Sequence, residues 1–226
     1  MKKPFFNIGL LGLFLLPFAI YFNALSPAKE NIPTGYNSSI VAFEFVSDYD
    51  ELDEVLGPLS EHEIQNLDKL NLWDFGFMVI YGGFLFFFIQ KFGRVNKLKL
   101  LDKLKWVALL PILADAIENL QLLGLSEQFV AGHQLGTEAF TLLQFATWTK
   151  WLTLAVLFAF LGIAFTRIDK SKAMGYILFI PIILGVFALI IQNRVLIDTF
   201  SLSIFLGFLT IVIYSFIHKT RQIEME

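Results

Sequence analysis

Asp115, Glu118 and Asn119 stand at i, i+3 and i+4 in the apolar run WVALLPILADAIENLQLLGL, residues 106–125. In a helix this spacing puts all three on one face. Two carboxyls beside a carboxamide can exchange protons as general acid and base, accept hydrogen bonds from a ligand, or pair with a cation. A carboxylate at bilayer depth costs about 2.5–3.5 kcal/mol on insertion scales, so it needs a partner inside the protein. Two other apolar runs offer one. Asp74 and Tyr81 lie in WDFGFMVIY at 73–81, and Gln144 and Lys150 lie in LLQFATWTKW at 142–151.

Helical rise places these groups at similar depth. Counted at about 1.5 Å per residue from the nearest basic boundary, Asp115 lies roughly 15 Å in, Tyr81 16 Å, Glu118 20 Å, Lys150 25 Å and Asp74 27 Å. Lys150 is the one cation of the set, and its long stem can reach Glu118 or Asp74. Three uses fit. The ion pairs can lock three helices together, with Asn119 and Gln144 adding interhelical hydrogen bonds. The set can line a pocket in which Asn119, Asp74, Tyr81 and Gln144 hold a ligand. It can also be catalytic, with Glu118 or Asp115 as acid or base and Lys150 as electrostatic partner. Three acids facing one lysine leave the set short of positive charge, to be made up by a proton or by water.

The elements that must carry these residues are membrane-length helices. Of 226 residues, 56% are hydrophobic and 26 are Phe, more than a soluble domain of this size can bury. Mean hydropathy is +0.66. A formal charge of −3 leaves no basic excess for nucleic acid. The absence of Cys excludes disulfides, thiolate catalysis and Cys-based metal sites. His62, His133 and His218 form no HxxxH or HExxH pattern, so neither a metal site nor a cofactor is expected.

Six spans are expected, at about 4–25, 72–92, 106–125, 138–166, 173–192 and 200–217, in one membrane domain. Pro111 should kink the third. The first imitates a signal peptide, with Lys2 and Lys3 before it and Ser26-Pro27-Ala28 after it, but about 20 apolar residues fit a retained helix better. Residues 26–70 carry ten acids against Lys29 and Lys69 and read as a small extracytoplasmic cap. Within it, SIVAFEFV at 39–46 reads as a short strand or an extended interfacial segment. Ser47 with Asp50 and Ser60 with Glu63 read as two capping boxes, and Gly57-Pro58 as a helix stop. The fifth span should turn at Asn193, Arg194 and Asp198. Trp73, Trp106, Trp148 and Trp151 read as interfacial anchors, and Gly82, Gly83 and Gly162 as points of close helix contact. His133 and Glu138 can border a pocket mouth. Thirteen of the seventeen Lys and Arg residues fall at the termini and in two loops, including Lys91, Arg94, Arg167, Lys170, Lys172, Lys219 and Arg221. That distribution implies both termini inside and the acidic segment outside. No repeat of helix pairs is visible.

FEF at 43–45, LG at 56–57, WDFGFMVIY at 73–81, ADAIENLQLL at 114–123 and TWTKW at 147–151 together resemble a family of small uncharacterised bacterial polytopic membrane proteins. The family has a DxxEN element in its third transmembrane helix, and the resemblance covers about residues 40–160. It implies a bacterial inner-membrane location and one shared polar set of Asp74, Tyr81, Asp115, Glu118, Asn119 and Lys150. It implies no activity. The expected fold is an all-α six-helix membrane bundle. The leading expectation is a pocket for a lipid or small amphiphile, with the bilayer as the principal partner. A membrane enzyme acting on a lipid or isoprenoid comes second, and a proton-coupled transporter third.

Overall fold

The computed structural model describes residues 3–133, 135–168 and 171–218. Lys2, Lys170, Lys219 and Arg221 lie outside the described residues, as does Gln134 in the 132–136 loop. Every described element is helical, and no strand occurs among the described residues. Six helical stretches are long and apolar enough to cross a membrane.

The first span is two helices, α1 (Phe6–Leu13) and α2 (Leu15–Leu25), broken at Phe14. Pro17 explains the break. It has no N–H for the Leu13 carbonyl, and its ring crowds that carbonyl.

The next segment is built by α3 (Ser39–Glu44) and α4 (Tyr49–Leu56). The strand expected at 39–46 is instead the short helix α3, started by the Ser38 hydroxyl accepting from the Val41 N–H at 3.4 Å. Val41, Ala42, Phe43 and Glu44 are consecutively buried, a pattern that a strand with one solvated face cannot give, so packing overrides β propensity. The α4 cap is also shifted by one residue. Asp48, not Ser47, accepts from the Glu51 N–H, while Ser47 bonds the Glu51 carboxylate. Leu52, Val55 and Leu56 form the buried stripe of α4, and the helix ends at Gly57.

The second span, α5 (Glu61–Val95), opens with the complete Ser60–Glu63 capping box. Its 35 residues reach about 52 Å, well beyond a hydrocarbon core of about 30 Å, so its first turns project into the 26–60 layer. The third span is composite: α6 (Lys99–Leu104), a 3₁₀ segment (Lys105–Leu109) and α7 (Leu110–Val130). Pro111 stands where the 3₁₀ segment gives way to α7. It sits in the first turn of α7, where a missing N–H costs nothing. Then come α8 (Thr137–Thr166), α9 (Lys172–Ile191) and α10 (Arg194–Ile217). The turn expected through Asp198 is confined to Gln192 and Asn193, because the Asn193 side chain caps α10 at Leu196.

The spans close into a ring. Helix α5 packs on α7, α7 on α8, α8 on α9, α9 on α10 and α10 on α1, which returns to α5. At the α8–α9 seam a Cβ at Gly162 would lie 2.9 Å from the Gly175 carbonyl oxygen. At Gly82 it would overlap Ile112 Cδ1, whereas Gly83 faces open space and makes no such contact. The 26–60 layer sits on one end of the ring, burying Phe43, Leu52 and Leu56 against Leu67, Leu122 and Leu143. Arg194 bonds both Glu54 oxygens at 2.7 Å, and Asp198 accepts from the Asn37 backbone and side chain at 2.9 and 2.8 Å, fastening that layer to the start of α10.

Candidate functional site

Under that layer, Lys150 of α8 is nearly sealed from solvent, with its ammonium among three carboxyls. It bonds Glu118, lies 3.1 Å from Glu44 Oε1 and lies 3.2 Å from Asp115 Oδ1. The helical spacing of Asp115 and Glu118 delivers two of these from α7. Glu44 comes from α3, and its position is set by α8 side chains. Thr147 Oγ1 donates to the Glu44 carbonyl at 3.0 Å and Gln144 Nε2 donates to the Val46 carbonyl at 2.8 Å. Trp151 Nε1 donates to Glu44 Oε2 at 3.0 Å, and the Trp151 ring lies 5.0 Å from the Lys150 ammonium.

The remaining groups form an outer set. Tyr81 donates its hydroxyl proton to Asp115 Oδ2 at 2.7 Å, and Asn119 Nδ2 donates to Asp74 Oδ2 at 2.7 Å. Tyr81, Asp115, Glu118 and Lys150 are thus one bonded group, whereas Asp74 and Asn119 form a separate pair, with Asp74 on the same cavity wall and in no ion pair with Lys150. Gln144 belongs to neither. Its amide holds the end of α3 and accepts from Trp148 Nε1 at 3.1 Å. Glu44 and Trp151 are the members that sequence reasoning missed. Trp148 and Trp151 are half-buried with bonded indole N–H groups, whereas Trp73 and Trp106 are exposed on the bundle surface as anchors should be. His133, on the α7–α8 connection, and Glu138, in the first turn of α8, are exposed and do not line the cavity beside the cluster.

Three carboxyls surround one ammonium, and a fourth, Asp74, lies on the wall of the same cavity. Burial pushes the Glu44 carboxyl above the usual glutamate range, with Lys150 pulling it back down. Glu118 Oε2 is buried and accepts no hydrogen bond, and the buried Asp115 Oδ1 has only the Lys150 ammonium beside it. No group of three His, Cys, Asp or Glu among the described residues is arranged to hold a metal ion.

The cluster forms the wall of a cavity of about 190 Å³, lined on its polar side by Glu44, Asp74, Tyr81, Asp115 and Lys150. Its other side is apolar, with Phe22, Phe77, Phe205 and Phe208. The same four residues line a second, almost wholly apolar cavity of about 250 Å³ between the first span and α10. That second space follows from the Phe14 break. Helix α1 packs on α10, and beyond the break α2 packs on α5 instead. Leu13, Leu16, Phe205 and Leu209, which border it, are all exposed on the outer surface of the bundle.

A six-span helical ring with a buried charged cluster and a side cavity is the build of a multi-pass membrane protein. No protein-family model, curated protein or solved structure matches the chain.

Proposed function

We propose that this protein binds a lipid or small amphiphile that enters sideways between α2 and α10, lays its tail in the apolar cavity and presents its polar end to the Lys150 cluster. The observation that carries this reading is the adjoining pair of cavities, one with a charged wall and one apolar throughout, sharing Phe22, Phe77, Phe205 and Phe208. A space with an apolar body and a few convergent polar groups is the usual form of a small-ligand site. Toward the other end the ring is filled by Phe88, Phe92, Phe165 and Tyr214, with Phe92 and Phe165 stacked at 4.6 Å. That filling supports a dead-end site over a path through the protein. Acid–base chemistry on the bound molecule is the second reading. It is favoured by Asp115, which borders the cavity and is held by Tyr81 at Oδ2 and by the Lys150 ammonium 3.2 Å from Oδ1. The Lys and Arg distribution supports a cytoplasmic location for both termini and an extracytoplasmic location for the 26–60 layer.

Trp151 borders the cavity and so reports on its occupant. In a variant with Trp73, Trp106 and Trp148 replaced by Phe, held in lipid nanodiscs, an alkyl alcohol brominated along its chain should quench Trp151 saturably. Excess unbrominated alcohol should reverse the quenching. Quenching that only rises in proportion to probe, as for a ring facing bulk lipid, would contradict the reading.

A further inference from the structure

The hydrogen-bond inventory of the polar cavity is one-sided. An ammonium has three N–H donors, and those of Lys150 face Glu44, Asp115 and Glu118. The Tyr81 hydroxyl is committed to Asp115, the Trp151 indole to Glu44, and the Ser201 hydroxyl to the Asp198 carbonyl at 2.8 Å. The donors that line this cavity are therefore already in use. Acceptors are in surplus. Asp115 Oδ1, on the cavity wall, has the Lys150 ammonium at 3.2 Å and no other donor, and Glu118 Oε2 behind it receives no hydrogen bond. Asp74, also on the wall, accepts from Asn119 through one oxygen. An anionic headgroup would meet carboxyl oxygens with no N–H or O–H left to receive it, at the cost of burying like charges together.

We propose that the cavity selects an amphiphile with a cationic headgroup, a protonated amine on an alkyl chain, whose N–H groups reach Asp115 and Asp74 while its chain lies among Phe22, Phe77, Phe205 and Phe208. This rests on the amphiphile-binding reading above and adds the charge of the ligand to it. Among the described residues no group of three His, Cys, Asp or Glu is placed to hold a metal ion, the three carboxyls that converge being turned on Lys150. A proton on one of the carboxyls offsets their excess of negative charge, and then a neutral hydroxyl headgroup binds as well as an amine.

Competition against the brominated alcohol at Trp151 separates these cases, with dodecylamine, dodecanol and dodecanoate as competitors of equal chain length in nanodiscs of neutral lipid. The amine should displace the probe at a concentration about tenfold or more below that of the alcohol, as a charge-assisted hydrogen bond to a buried carboxylate implies. Dodecanoate should be the weakest of the three. The amine's advantage should shrink in both Asp74→Asn and Asp115→Asn, so that misfolding of one leaves the other as the test. Equal displacement by all three, an alcohol that matches the amine, or preference for dodecanoate overturns the cationic assignment while leaving amphiphile binding intact. If the probe never quenches saturably, both fall together.

Discussion

Replacing Lys150 by methionine removes the ammonium and keeps most of the stem, so it isolates the charge from the packing. In the wild type that ammonium bonds Glu118 and stands 3.1 and 3.2 Å from Glu44 and Asp115, all largely or wholly buried. Breaking a buried ion pair by deleting one partner costs about 3–5 kcal/mol, because the other charge is left uncompensated. Here three carboxyls lose the same partner, so Lys150→Met should lose at least the lower bound of that range, about 3 kcal/mol. The methionine stem limits the packing loss to about 1 kcal/mol or less. Unfolding by sodium dodecyl sulfate in mixed micelles, followed by tryptophan emission, measures the loss. Trp151 sits against the ammonium and should report the change directly. The double variant Lys150→Met/Glu118→Gln should lose less than Lys150→Met alone, since one stranded carboxyl has gone. A loss below about 1 kcal/mol would refute the reasoning, because it would mean the ammonium compensates nothing. So would strict additivity in the double variant.

Three further predictions follow from the same geometry. A folded-state pKa raised by burial, as at Glu44, stabilises the fold below the ordinary glutamate value, and that contribution is lost as pH climbs past the folded value. Wild-type stability should therefore fall relative to Glu44→Gln as pH rises from about 4 toward 8; thermal melts that keep a constant difference across this range contradict it. Gly162→Leu should destabilise by about 1–3 kcal/mol by forcing α8 off the Gly175 carbonyl, whereas Gly83→Ala, which faces open space, should change detergent stability little. Arg194→Met should cost less than about 1 kcal/mol despite its paired bonds to Glu54, because both side chains are substantially exposed, and added salt should narrow the difference.

The six spans were readable because apolar length alone defines them, and the Asp115–Glu118–Asn119 face because helical spacing is rigid. Depth along the helices also led to the Lys150–Glu118 pair. Glu44 escaped for a physical reason. It belongs to no span, and SIVAFEFV has the β-branched and aromatic content of a strand, while burial against α7, α8 and α10 makes it a helix that carries a carboxyl down into the ring. A signal was present all the same: an acid between two phenylalanines in an apolar octet is one that will be buried and will need a partner. Gln144 does not join the cluster: depth does not say which way a side chain faces, and it turns to the Val46 carbonyl just past α3. The side cavity had only Pro17 to announce it. A proline predicts a break, but only the tertiary packing shows that α2 then follows α5 and leaves α10.

The central claim is that the paired cavities hold an amphiphile, and native mass spectrometry of protein extracted gently from its membrane addresses it most directly. Ala19 lines the apolar cavity, so Ala19→Trp should fill it without touching the charged cluster. The account predicts that the wild type carries an equimolar small-molecule adduct and that Ala19→Trp, equally folded, lacks it. No adduct on the wild type, or the same adduct on both proteins, would contradict it.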